Sequence, residues 1–309
     1  MKINIIFFLI FCIPLTGKAQ QIKTMEDLNY EIPVSKVRLD NGIEIVYADQ
    51  GKGKETILFI HGLASYIPAW KKNLEVLKEH YRCIAIDLPG YGKSSKGNYE
   101  VSMEFFAKTV AEICQKLNID KVVLAGHSMG GQIAITTALQ YPDLVSKLIL
   151  IAPAGFETFS KGEKQWFRDV MTVDGVRLTT VEQIRVNYAY NFYNMPDDAA
   201  FMVDDRIWMR TTKDFTDYCY HITQGVNAMV DQPVFDFLPM VKQPTLCIFG
   251  ENDNLIPNRY LNGGPTKKYA QQGAAQMPDV NLKMIKKAGH FVMFEKSGEV
   301  NKYIQEFLK

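Results

Sequence analysis

The chain has 309 residues, 47% of them hydrophobic and 22% charged, and a formal net charge of +1. That much apolar material suits one large core with an elaboration better than two small domains. A near-neutral balance without a basic block gives no pointer to nucleic acid as a partner.

Lys2 precedes an apolar run from Ile3 to Leu15, and Gly17 and Ala19 have the small-residue spacing of a secretory cleavage site. The run is shorter than the roughly 20 residues a membrane span needs. Phe11 precedes Cys12, where a lipoprotein would carry a small residue. Residues 1–19 therefore read as a signal peptide cut before Gln20, giving an exported protein, periplasmic or secreted, with no stable membrane span. Its loss removes Lys2 and Lys18 and no acid, taking the formal charge to −1. Four cysteines remain. Cys83 and Cys247 sit inside apolar strand patterns, where a free thiol behaves as a small hydrophobe, and Cys114 and Cys219 share no metal-site spacing with them. No disulfide is expected.

Two β-rich runs flank Asp40-Asn41-Gly42, a hairpin signal. Residues 56–60 form a continuous apolar strand ending in His61-Gly62, residues 69–78 a helix, and residues 81–87 a strand ending in Asp87-Leu88-Pro89-Gly90. An amphipathic helix covers 102–117. A strand over 121–125 leads into Gly126-His127-Ser128-Met129-Gly130-Gly131, with helical spacing over 132–140. Strands follow at 147–151, 245–250 and 281–285, with a helix before the last and a terminal helix at 298–308. Alternating strands and helices give an α/β fold, a mostly parallel, doubly wound sheet opened by an antiparallel hairpin.

Residues 154–240 break this alternation. They lack apolar strands and are rich in aromatics, as expected of a helical lid inserted into a core made of residues 20–153 and 241–309. A lid above strand ends roofs the place where open sheets bind ligands. Trp166, Tyr190, Trp208, His221 and Arg206 are the substrate-contact candidates there. Arg185, Arg206 and Arg210 are either carboxylate holders or surface cations paired with Asp204, Asp205 and Asp214.

The abrupt strand-to-helix turn at Ser128 exposes a hydroxyl, and a nucleophilic serine needs a base that is itself oriented by an acid. Of five histidines, His61 braces the loop after its strand and His80 ends a surface helix. His127 is locked in the serine turn with its side chain directed away from the nucleophile, and His221 lies in the lid. His290 follows the last strand and is the one the sheet delivers to the surface facing Ser128. Asp253, just past the strand 245–250, is the candidate acid; Glu251 is closer to the strand and solvated. After 147–151 the first carboxylate is Glu157, which weakens that position as the source of the acid. Asp87 ends a neighbouring strand in a structural loop. The backbone N–H groups of Met129, at a helix start, and of Leu63 would bind a tetrahedral oxyanion, each such donor contributing about 3 kcal/mol. This chemistry requires no metal or organic cofactor.

With H-G-L-A-S at His61, D-L-P-G-Y-G-K-S at Asp87, G-H-S-M-G-G at Gly126, G-E-N-D at Gly250 and A-G-H-F at Ala288, the chain from about Val34 to Leu308 resembles a capped α/β-hydrolase. The resemblance implies that fold, the order Ser128, Asp253, His290, and hydrolysis of esters or similar acyl bonds of small, fairly apolar substrates. Carbon–carbon bond hydrolysis, iminopeptidase action and ligand reception on the same scaffold are the alternatives. Dehalogenases and epoxide hydrolases of this kind use an aspartate nucleophile, where this chain has Ser128. The 36 residues between Asp253 and His290 are more than the family usually shows, and residues 262–266 and 271–275 are expected to wall the entrance.

Overall fold

In the computed structural model, which describes residues 24–309, eight strands form one sheet in the order β1-β2-β4-β3-β5-β6-β7-β8. The expected leader, residues 1–19, lies outside the described residues. β1 (Ser35–Arg38) and β2 (Glu44–Gln50) pair antiparallel around the Asp40-Asn41-Gly42 turn, and β2 pairs antiparallel with β4 (Arg82–Ile86). The remaining pairings are parallel, through β3 (Thr56–Ile60), β5 (Val122–His127), β6 (Val145–Ile151), β7 (Thr245–Gly250) and β8 (Val280–Ile285). Every residue of β3, β5 and β7 is buried, because helices cover both faces of a parallel sheet and leave no polar side.

The helices of the core are α1 (Lys71–Leu77), α2 (Met103–Lys116) and α3 (Met129–Gln140). Ser102 caps α2, its hydroxyl accepting from the Phe105 N–H at 2.9 Å. Between β6 and β7 the chain forms α4 (Lys161–Val170), α5 (Val173–Arg177), α6 (Val181–Tyr190), α7 (Ala200–Met209) and α8 (Phe215–Asp231). Capping boxes at Ser160/Glu163 and Thr180/Gln183 start α4 and α6. After β7 come α9 (Thr266–Ala274), α10 (Val292–Glu295) and α11 (Ser297–Leu308).

Two local features differ from the sequence expectation. α3 begins at Met129, three residues before the apolar periodicity, since Gly130 and Gly131 fill its first turn and carry no pattern. The short α10 was not foreseen, because Val292, Met293 and Phe294 are all buried and present no amphipathic face. Cys83, Cys114, Cys219 and Cys247 are free and buried. No helix among the described residues is long and apolar enough to cross a membrane.

Candidate active site

β5 runs without a break into α3, and Ser128 takes the whole reversal at φ 52° and ψ −118°. A non-glycine residue at positive φ persists only where its surroundings hold it. Here the Ser128 N–H donates to the Ile151 carbonyl at 3.0 Å, and the Ser128 carbonyl accepts from Gly131 at 2.8 Å and Ala154 at 3.0 Å. Glycine is required on either side. A Cβ at Gly126 would run into the Gly130 carbonyl oxygen, and one at Gly130 into that of Ile60.

His290 and Asp253 arrive from the ends of neighbouring strands. The loop after β7 is tied to the loop after β8: Glu251 N–H donates to the Ile285 carbonyl (2.8 Å) and Asn252 N–H to that of Ala288 (2.9 Å). That brings Asp253 Oδ2 to 2.7 Å from His290 Nδ1. The other carboxylate oxygen accepts from the Leu255 N–H at 2.8 Å and the Ile256 N–H at 3.0 Å, so the acid cannot rotate freely. Both side chains are nearly fully buried. With the carboxylate accepting at Nδ1, Nε2 is the unprotonated nitrogen of the neutral ring. Ser128 and His290 line the same cavity of about 430 Å³.

The other histidines have structural settings. His61 Nδ1 donates to the Gly62 carbonyl (2.7 Å) while Nε2 accepts from the Leu88 N–H (3.0 Å), and burial lowers its pKa to about 4. It clasps the ends of β3 and β4 as a neutral ring. His221 Nε2 donates to the Gly97 carbonyl at 2.7 Å, welding α8 to the loop after β4 rather than facing the cavity. His127 departs from expectation. Its ring lies 4.7 Å from that of His290 and forms part of the cavity wall, with Nε2 donating to the His290 carbonyl at 3.0 Å. Burial, then the neighbouring His290, pushes its pKa well below the usual value, so it stays neutral. Asp87 is fully buried and accepts from Tyr30 Oη (2.6 Å) and from the N–H groups of Ile67 and Lys93 (2.8 Å each); burial raises its pKa to about 6.

Met129 is the first residue of α3, so its N–H has no intrahelical acceptor. Leu63 lies in the turn after β3, beside Ala64 at φ 57°. α8 fixes this turn from above: Tyr218 Oη donates to the Ala64 carbonyl at 3.0 Å. A Cβ at Gly225 would stand 2.7 Å from Tyr91 Oη, 2.9 Å from Leu63 Cδ1 and 3.2 Å from Met129 Sδ, so a side chain there would have to displace them or lift α8.

The cavity wall is mostly apolar, with Phe159, Phe167, Met171, Met229 and Val230 from the segment between β6 and β7. Leu255, Ile256 and Asn258 supply its far side, whereas the expected wall residues 262–266 and 271–275 do not line it, because α9 turns that stretch onto β7 and β8. Glu157, which sequence reasoning passed over, does line it. Its Oε1 accepts from the Asn258 N–H and from Asn262 Nδ2, both at 2.8 Å, and burial pushes its pKa up to about 7. Being the first carboxylate after β6 was its only sequence signal.

Of the five substrate-contact candidates, Tyr190 lines this cavity. Trp166 packs edge-on to Phe167 and against Tyr260 instead, and Trp208 is 51% exposed. Arg206 lines an adjoining chamber of about 320 Å³. Arg185 is exposed and Arg210 half-buried, while Asp205 accepts from Tyr66 Oη and Asp214 pairs with Lys96. Among the described residues no cluster of His, Cys, Asp or Glu could hold a metal ion.

Comparison with known proteins agrees with this fold. A family model described as alpha/beta hydrolase fold matches residues 55–297. An uncharacterised hydrolase of Bacillus subtilis is 26% identical, the match covering 90% of this chain and 98% of the relative. A 2-hydroxy-6-oxononadienedioate/2-hydroxy-6-oxononatrienedioate hydrolase of Pseudomonas putida is 27% identical over 88% of this chain and 95% of its own. A thermophilic esterase of Thermogutta terrifontis superposes with a TM-score of 0.72 at 25% identity, covering 89% of this chain and 98% of that one. Matched over most of its length, this chain belongs to the α/β-hydrolase fold family.

Proposed function

We propose that the protein is a serine hydrolase that cleaves esters of small, fairly apolar substrates through an acyl-enzyme. One observation carries the reading: a serine held at positive φ shares an apolar cavity with a histidine whose Nδ1 is fixed by a buried carboxylate. Ser128 Oγ attacks the carbonyl while His290 Nε2 takes its proton. Asp253 holds the ring in the Nδ1–H form and stabilises the imidazolium. The N–H groups of Met129 and Leu63 bind the developing oxyanion. His290 then protonates the leaving alkoxide, and water, deprotonated by the same ring, attacks the acyl-enzyme and frees the acid and the serine. Ser128→Ala is expected to abolish fluorophosphonate labelling and to lower p-nitrophenyl butyrate turnover on the order of 10⁶-fold. Undiminished turnover by that variant excludes the assignment. Absent labelling of the parent protein, together with tight small-molecule binding, would favour a receptor on the same scaffold.

A second reading is hydrolysis of a carbon–carbon bond on the same residues, favoured by the similarity to the Pseudomonas putida hydrolase. A panel of simple esters, vinylogous diketo acids and proline amides separates it, and iminopeptidase action, from the first. We also propose that the protein is exported after cleavage before Gln20, on the strength of the apolar run and small-residue spacing near its start.

A further inference from the structure

Arg206, on α7, is 6% exposed, and no ion pair to it is present among the described residues. Its guanidinium carbon lies 4.9 Å from the ring centre of Phe215 and 5.5 Å from that of Tyr218. These faces offset part of the cost of burying the charge. The edges are poorly served: Nη2 reaches only the Val176 carbonyl, at 3.5 Å, and Nη1 is buried without a partner. Asp205, next in sequence, is engaged by Tyr66, and Asp174 by Arg177. A buried cation left this way is a poor stabiliser, and an apolar side chain of similar size would serve the empty fold better.

The chamber Arg206 lines meets the serine cavity at shared residues, Leu63, Asn187, Asn191 and Phe291 among them. The serine cavity has no Lys or Arg in its wall, and Glu157 is its only carboxylate-bearing lining residue. Burial keeps Glu157 protonated up to about pH 7, so across the two connected chambers Arg206 is the only lining lysine or arginine that an anionic group can meet.

We propose that the chamber lined by Arg206 is a substrate subsite, in which the guanidinium edge holds a carboxylate borne by the molecule that Ser128 cleaves. This rests on the serine-hydrolase reading and narrows its substrate class to amphipathic esters: an apolar part in the serine cavity and a carboxylate on the Leu63 side. A planar guanidinium with its faces stacked and its edge free matches a carboxylate through parallel N–H donors.

The test compares p-nitrophenyl butyrate with the p-nitrophenyl monoester of glutaric acid, which places the carboxylate on the acyl half. The butyrate ester of 4-hydroxybenzoate, beside phenyl butyrate, places it on the alcohol half. The parent protein is expected to prefer the anionic member of one pair. Arg206→Met should lower that anionic-to-neutral ratio of kcat/KM roughly 10- to 100-fold, mainly through KM, and Arg206→Lys should restore part of it. Arg206→Met should also melt no lower than the parent, whereas a merely structural arginine would cost stability when replaced. Equal preference within both pairs, or a ratio that Arg206→Met leaves unchanged, overturns the proposal. Glutarate supplies an arm independent of turnover: it should raise the Tm of Ser128→Ala and not that of Ser128→Ala/Arg206→Met. A glutarate shift that survives loss of Arg206 overturns the subsite, while failure of Ser128 to label with fluorophosphonate counts only against the serine-hydrolase reading.

Discussion

At Glu157 burial opposes the amide donors of Asn258 and Asn262 and wins, holding the carboxyl protonated to about pH 7 against an ordinary value of 4.5. Between those values the folded protein binds more protons at this site than the unfolded chain, so its contribution to stability declines as pH rises from 4.5 to about 7. A glutamine at this position would not titrate. The Tm of Glu157→Gln relative to the parent should therefore climb from pH 5 to pH 8, and a pH-independent difference in paired melting scans would contradict this origin. His61 runs the other way. Its folded pKa of about 4 lies below the ordinary 6.5, so its contribution is complete above 6.5 and drains away as pH falls toward 4. Parent Tm measured against His61→Gln should accordingly narrow its lead, or lose it, on acidification from pH 7 to pH 4.5.

At the scale of elements, the loop bearing His290 is held from two directions. The chain after α6 supplies the Asn191 carbonyl to the Phe291 N–H at 3.0 Å. Glu295, at the end of α10, accepts from Gly289 (2.8 Å), Tyr193 (3.1 Å) and Asn194 (2.7 Å), clamping both segments together. Glu295→Ala leaves three N–H groups without their acceptor and should cost roughly 1–3 kcal/mol. Because the clamp fixes the histidine loop, kcat should fall more than KM rises. Full activity with a lowered Tm would show that the clamp only stabilises. Little of this was visible in sequence. The strands β3 and β7 were legible to the residue, since a doubly covered strand must be apolar throughout. A clamp such as Glu295 has no such pattern: two of its three partners, Tyr193 and Asn194, lie about a hundred residues away, and any helix surface carries glutamates.

For the whole molecule, the proposed export rests on residues 1–19 being a cleaved leader. If residues 1–19 are removed on export, the intact mass of protein recovered outside the cytoplasm should correspond to a chain starting at Gln20. Recovery of the unprocessed chain from the cytoplasm would contradict export. The fold, too, is a whole-molecule property, and here local signals sufficed. Alternation of apolar strands and amphipathic helices on either side of residues 154–240 admits few architectures, and glycines at 126 and 130 around Ser128 mark a turn that other residues cannot make.

By itself, the sequence determined the sheet, the turn at Ser128 and the chain positions of His290 and Asp253, because each follows from backbone sterics or from side-chain periodicity within a few residues. Only the tertiary structure decided what surrounds them. It turned His127 against His290, set Glu157 in the cavity wall, left Trp208 in solvent and buried Arg206 without a counterion. These outcomes depend on how the helices between β6 and β7 pack over the sheet, and packing at that distance is a sum of many weak contacts that no short stretch of chain encodes.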